Sequence, residues 1–164
     1  MSTVGALATP SVRRVQEALA AGGSSARVIA LAETARTAED AARACDVEVG
    51  AIVKSLVFVI GGRPVMALVA GDRRCAEQAL AAALGLEGTV RRADAQEVRA
   101  ATGYAIGGVA PVGHPAPLPV AIDASLGRFE RVWAAGGHPH AVFETSLDEL
   151  VRLTGGRIDG AIAR

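Results

Sequence analysis

The chain has 164 residues, of which 51% are hydrophobic and only 3% aromatic, and its 17 basic residues are balanced by 17 acidic ones. Such a composition supplies a core of Ala, Val, Leu and Ile and excludes a disordered chain, which would be poorer in apolar residues and richer in net charge. Neutrality also excludes a protein that grips a long tract of DNA or RNA, because that affinity comes from phosphate neutralisation by a basic surface.

The sequence contains no repeat, low-complexity tail or linker, so one domain is expected over residues 1–164. Met1 to Pro10 has no basic residue and no sustained apolar stretch, which argues against a secretory leader. The longest apolar run, Leu56 to Ile60, is far too short to cross a bilayer, so no membrane partner is expected. Cys45 and Cys75 are isolated thiols and fit a reducing compartment, the cytoplasm.

In chain order, Thr9-Pro10 opens a helix carrying Val12, Val15 and Leu19 at helical spacing, and Gly22-Gly23 stops it. Arg27 to Leu31 reads as a strand. Thr37 caps a second helix, which runs to about Asp46 with Glu39 and Asp40 in its first turn. Ala51 to Ile60 and Val65 to Ala70 form a hairpin around Gly61 to Pro64. Both of its strands are almost continuously apolar and should be covered on both faces. Cys75 to Leu84 reads as a helix closed by Gly85, and Asp94 caps another over Ala95 to Thr102. A glycine-rich loop, Tyr104 to His114, leads to a strand at Leu118 to Asp123. Arg131 to Ala135 and His140 to Glu144 pair as strands. Ser146 and Glu149 have capping-box spacing before a last helix, Leu147 to Leu153. Helices mixed with hairpins predict an α/β fold on a mixed sheet rather than a doubly wound parallel one.

Among the 17 basic residues, sixteen are Arg and one is Lys54. Lys54 interrupts an apolar strand, where a charge is costly, and a compact ammonium differs physically from the planar arginine fork. It is read as a strand-end lysine reaching water, as the ammonium of an apolar pocket that takes a phosphate or carboxylate, or as a lysine of lowered pKa acting as nucleophile or base. In Gly107-Gly108-Val109-Ala110-Pro111, paired glycines let backbone approach a ligand and present amide donors. His114, His138 and His140 lie in glycine and proline turns without the spacing of a zinc site, so neither metal nor cofactor is expected. A triad can be drawn from Ser55, His138 and Asp123, but no nucleophile elbow surrounds Ser55.

Three blocks carry a resemblance. They are Gly50 to Phe58 around Lys54-Ser55, Gly103 to Gly113 with its Gly-Gly-Val-x-Pro core, and Gly136-Gly137-His138-Pro139-His140 through Phe143. Together, and in this order, they resemble the YbaK/EbsC family, free-standing relatives of the editing (INS) domain of bacterial prolyl-tRNA synthetase. The resemblance spans roughly residues 10 to 160. It implies a mixed, partly barrel-like β-sheet surrounded by helices, and hydrolysis of a wrong, small amino acid from the 3′ acceptor end of aminoacyl-tRNA. Proline tRNA is favoured, and prolyl-tRNA synthetase is a possible partner. Lys54, Gly107, Gly108 and His138 take the catalytic positions. Ser55, Pro111, Val112, Gly113, His114 and His140 take the substrate-binding ones. The resemblance further implies that the substrate's own 2′-hydroxyl helps to place water. A non-catalytic module binding nucleotides or aminoacyl nucleotides is the alternative that the same residues allow.

Overall fold

The computed structural model describes residues 3–164; the part of the leader reading that rests on Met1 and Ser2 lies outside them. The helices are α1 (Thr3–Leu7), α2 (Pro10–Ala21), α3 (Ala38–Cys45), α4 (Glu77–Leu84), α5 (Ala95–Thr102) and α6 (Leu147–Thr154). The strands are β1 (Ile29–Ala30), β2 (Ile52–Ile60), β3 (Arg63–Ala70), β4 (Val90–Arg92), β5 (Val120–Asp123), β6 (Val132–Ala135), β7 (Ala141–Thr145) and β8 (Arg157–Asp159). Short 3-10 turns occupy Val49–Ala51 and Ala124–Arg128. Among the described residues no helix is long and apolar enough to cross a membrane.

The eight strands form one mixed sheet in the order β1-β7-β6-β2-β3-β5-β8, with β4 paired to β2 off this path. The β2–β3 hairpin is its axis. Its turn is tighter than the sequence suggested: only Gly61 and Gly62 lie in it, both at positive φ (55° and 83°), the conformation of a two-residue primed turn. Pro64 is already inside β3, opposite Val59. Both faces of β2 are covered, as its apolar run demands. Val53 and Val57 face the larger core under α2 and α6, whereas Phe58 and Ile60 face a second core with Leu80 of α4.

The caps explain several boundaries. Asp94 and Glu97 form a reciprocal capping box at α5, through Oδ1 to the Glu97 amide (2.8 Å) and Oε1 to the Asp94 amide (3.0 Å). At α6 only half of the expected box forms. Ser146 caps the Glu149 amide, but the Glu149 carboxylate instead accepts from Thr145 and Ser24. Helix α4 begins at Glu77 rather than Cys75, because Cys75 is held extended in a bridge to Ala163. β4 and β8, three residues each, and the five-residue α1 are too short to show a period in the sequence.

Candidate functional site

The site arises where β2 changes partners. One edge of β2 pairs with β3 along its length. On the other edge, β6 runs parallel to Ile52 and Val53, and β4 runs antiparallel to Phe58, Val59 and Ile60. The Ala93 amide extends the β4 ladder to the Val57 carbonyl (3.1 Å). Between Val53 and Val57 no strand of the described residues covers that edge, and a cavity of about 320 Å³ opens there.

Lys54, Ser55, Gly107, Val109 and His138 all line this cavity, so three blocks distant in sequence meet at one hollow. Its inner wall is small and apolar, with Val53, Val57, Val98, Ala134 and Ala141. Arg36, Lys54 and Arg92 supply three cations, and no Asp or Glu is among the described lining residues. An anion is therefore attracted without a competing fixed charge on the wall.

Lys54 is half-buried, and its ammonium donates to the Arg73 carbonyl. Burial holds its pKa below the ordinary lysine value, with Glu39 and Asp72 opposing that shift. Asp72 is in turn kept below the usual carboxylate range by its two-pronged pairing with Arg128, both contacts at 2.8 Å.

In the glycine loop, Gly107 has a φ of 97° and lines the cavity, as does Val109. The backbone amides of these two residues have no partner within the described chain. Gly108 plays a different part from the one expected. Its amide already donates to the Ala105 carbonyl (3.0 Å), and it is not on the cavity wall. Glycine is required there because a Cβ would stand 2.9 Å from the Cα and N of His138. Gly108 thus lets the glycine loop press against the late loop.

Pro111, Val112, Gly113 and His114 also stand off the cavity wall. The hydroxyl of fully buried Tyr104 donates to the Val112 carbonyl (2.7 Å), and the His114 ring pairs with the Ala110 carbonyl (2.8 Å). Gly113, at φ 82°, is the residue against which Tyr104 packs, and a side chain there would collide with the phenol. These four residues buttress the loop rather than line the hollow.

His138 reaches the cavity, and its Nδ1 accepts the His140 amide at 3.0 Å. A neutral ring with Nδ1 so engaged carries its proton on Nε2. Burial, chiefly, and His140 keep the ring's pKa below the ordinary value, favouring the neutral form. His140 is not on the wall; its Nε2 pairs with Thr34 Oγ1 at 2.7 Å, and its Nδ1 is buried without a partner among the described residues. The Leu31 and Ala35 amides bond to the His140 and Pro139 carbonyls (2.7 and 2.8 Å), which brings Arg36 to the rim. Asp123 is engaged elsewhere, accepting from the Ala70 and Ser125 amides (3.0 and 2.8 Å), and the Ser55 hydroxyl is buried without a partner among the described residues. The Ser55-His138-Asp123 triad therefore does not form.

The sequence reading missed Arg36, Arg92 and Trp133, all of which line the cavity, and Ile106, 63% exposed at its rim. Trp133 had a signal: it is the single Trp of a chain poor in aromatics. Arg92 had none, lying in a strand too short to show alternation, with its guanidinium 5.4 Å from the Phe58 ring centroid.

Comparison with known proteins finds related sequences and structures. The model of the aminoacyl-tRNA editing domain matches residues 32–153. A proline–tRNA ligase of Solidesulfovibrio magneticus is 36% identical over 102 residues, 62% of this chain but only 17% of the ligase. The uncharacterised protein YwhH of Bacillus subtilis is 35% identical over 115 residues, 70% of this chain and 72% of YwhH. The crystal structure of a proposed trans-editing enzyme for prolyl-tRNA synthetase superposes with a TM-score of 0.86. It is 45% identical, with 92% of this chain and 96% of that one covered.

Proposed function

Because the chain belongs to the aminoacyl-tRNA editing domain family, we propose that it acts in trans as a deacylase, releasing a small, wrongly attached amino acid from the 3′ end of tRNA, with proline tRNA the favoured acceptor. The observation that carries this reading is the convergence of Lys54, Gly107 and His138 on one small apolar hollow rimmed by cations. The terminal phosphodiester meets Lys54, flanked by Arg36 and Arg92. Only this end of the RNA is held, which suits a protein of zero net charge.

In the reaction, water adds to the ester carbonyl, the bond to the ribose oxygen breaks, and that oxygen leaves as a hydroxyl with a proton from the water. No carboxylate on the described wall is placed to take the first proton. The substrate's own 2′-hydroxyl positions and relays it, so the protein contributes placement and donors. The Gly107 and Val109 amides and His138 Nε2–H stabilise charge developing on the carbonyl oxygen. The Val and Ala wall excludes larger amino acids by size.

The test is a panel of tRNAs mischarged with alanine, serine, threonine and cysteine, incubated with the protein. Release of at least one small amino acid, and not of a bulky one, is expected. Absence of turnover on every member would overturn the reading.

A further inference from the structure

The break in the sheet has a chemical polarity that side chains alone do not reveal. In an antiparallel pair, alternate residues turn both N–H and C=O toward the same neighbour. The Gly71 amide bonds to the Ile52 carbonyl at 2.7 Å, so Ile52, Lys54 and Leu56 turn their backbone groups toward β3. Val53, Ser55 and Val57 turn theirs the other way. Val53 finds β6, and the Val57 carbonyl finds the Ala93 amide. Ser55 lies between the end of one ladder and the start of the next. The β2–β6 register stops at Val53–Ala134, and no described backbone bond reaches the amide or carbonyl of Ser55. A strand interior with a donor and an acceptor left open is costly unless something pairs with it.

We propose that the aminoacyl group of the substrate fills this break as a one-residue β-strand. The Ser55 carbonyl accepts from its α-ammonium, and the Ser55 amide donates to its ester carbonyl. An amino acid esterified through its carboxyl presents a donor and an acceptor at the spacing of one strand residue, which is the pattern an open sheet edge pairs with. The α-carbon is thereby set against the wall of Val53, Val57 and Val98, so the amino-acid side chain is measured by that wall. Recognition is of the backbone common to all amino acids; selection rests on the space left for the side chain. The inference rests on the editing reading above and adds to it a requirement for a free α-amino group.

The experiment uses ¹⁵N-labelled full-length protein and nonhydrolysable 3′-amino-3′-deoxyadenosine analogues carrying alanyl, seryl or cysteinyl groups in amide linkage. The unacylated nucleoside and a propionyl analogue, which has the carbonyl but no α-amino donor, serve as comparisons. A downfield shift of the Ser55 amide proton is expected with at least one free-amino analogue, and neither with the unacylated nucleoside nor, at the same concentration, with the propionyl compound. The propionyl compound should also bind at least tenfold more weakly. If an analogue binds and moves the Gly107 and Val109 amides while Ser55 stays still, the proposal is overturned and the editing reading survives. If no analogue binds and no mischarged tRNA is hydrolysed, both fall.

Discussion

The backbone amide of His140 points at Nδ1 of His138 across 3.0 Å, and this one bond decides what the His138 ring can do. With Nδ1 engaged and the pKa depressed by burial, the ring of this cavity-lining residue is held as a neutral Nε2–H donor. We expect ¹⁵N chemical shifts of the imidazole to report this tautomer throughout the neutral range, with titration only below the ordinary value of 6.5. Deacylation should show no acid limb above that point. A ring found as the Nδ1–H tautomer would contradict the assignment.

Stability follows the same protons. His114 and His138 both have folded pKa values below 6.5, in each case mainly through burial. The unfolded chain therefore binds protons more readily, and the stability these rings contribute is present above pH 6.5 and lost as pH falls through the folded values. Urea unfolding compared at pH 7.5 and pH 5.5 should show the loss. The His114→Gln variant should show a smaller one.

Lys54 carries the anion reading. Lys54→Ala should lower deacylation by roughly 100-fold, the loss expected for a charge-assisted contact. It should leave the melting temperature nearly unchanged, because a half-buried ammonium is traded for an apolar group. Lys54→Arg should not restore the rate, since the wider fork does not fit the same space. Binding of a 5′-phosphorylated acylamino-adenosine analogue should weaken as pH rises, with a midpoint below 10.5. It should do so at still lower pH in Asp72→Asn, which removes a charge that supports the ammonium.

Gly108→Ala probes the seam between the two loops. Its Cβ would meet the His138 backbone at 2.9 Å, a clash with main chain that no rotamer relieves. A cost of about 1–3 kcal/mol is expected, with a fall in deacylation because His138 is displaced. Thermal melting and kinetics on one preparation check both.

Ser55→Ala separates the side chain from the strand that bears it. The hydroxyl is buried without a partner, so its removal should stabilise the protein by about 1 kcal/mol. That corresponds to a rise of about 2–4 °C in melting temperature. A lower melting temperature would mean that the hydroxyl has a partner in solution.

The parts legible in the sequence were those whose signal is local and repeated. The hairpin at Ile52 to Ala70 reads as central strands because its apolar run needs cover on both faces, and Thr9, Thr37 and Asp94 mark helix starts by hydrogen bonds reaching only three residues ahead. Lys54 stood out as the single lysine, set in an apolar strand, and Gly107 as one of a glycine pair, whereas His138 was marked only by the resemblance of its block. The rest depends on pairing at long range. Whether Gly108 lines a hollow or seals a seam depends on His138, thirty residues away, and whether Ser55 acts through its hydroxyl or its backbone depends on where β6 and β4 end. Arg36 reaches the rim only because two amides of its loop bond to Pro139 and His140.

A recess created by the ends of two hydrogen-bonded ladders cannot migrate by point mutation. Exchanging Ala134, Val98 or Val57 changes its capacity, while its address in the molecule stays with the register of β2. Evolution is thus free to retune what the recess admits without having to rebuild where it lies.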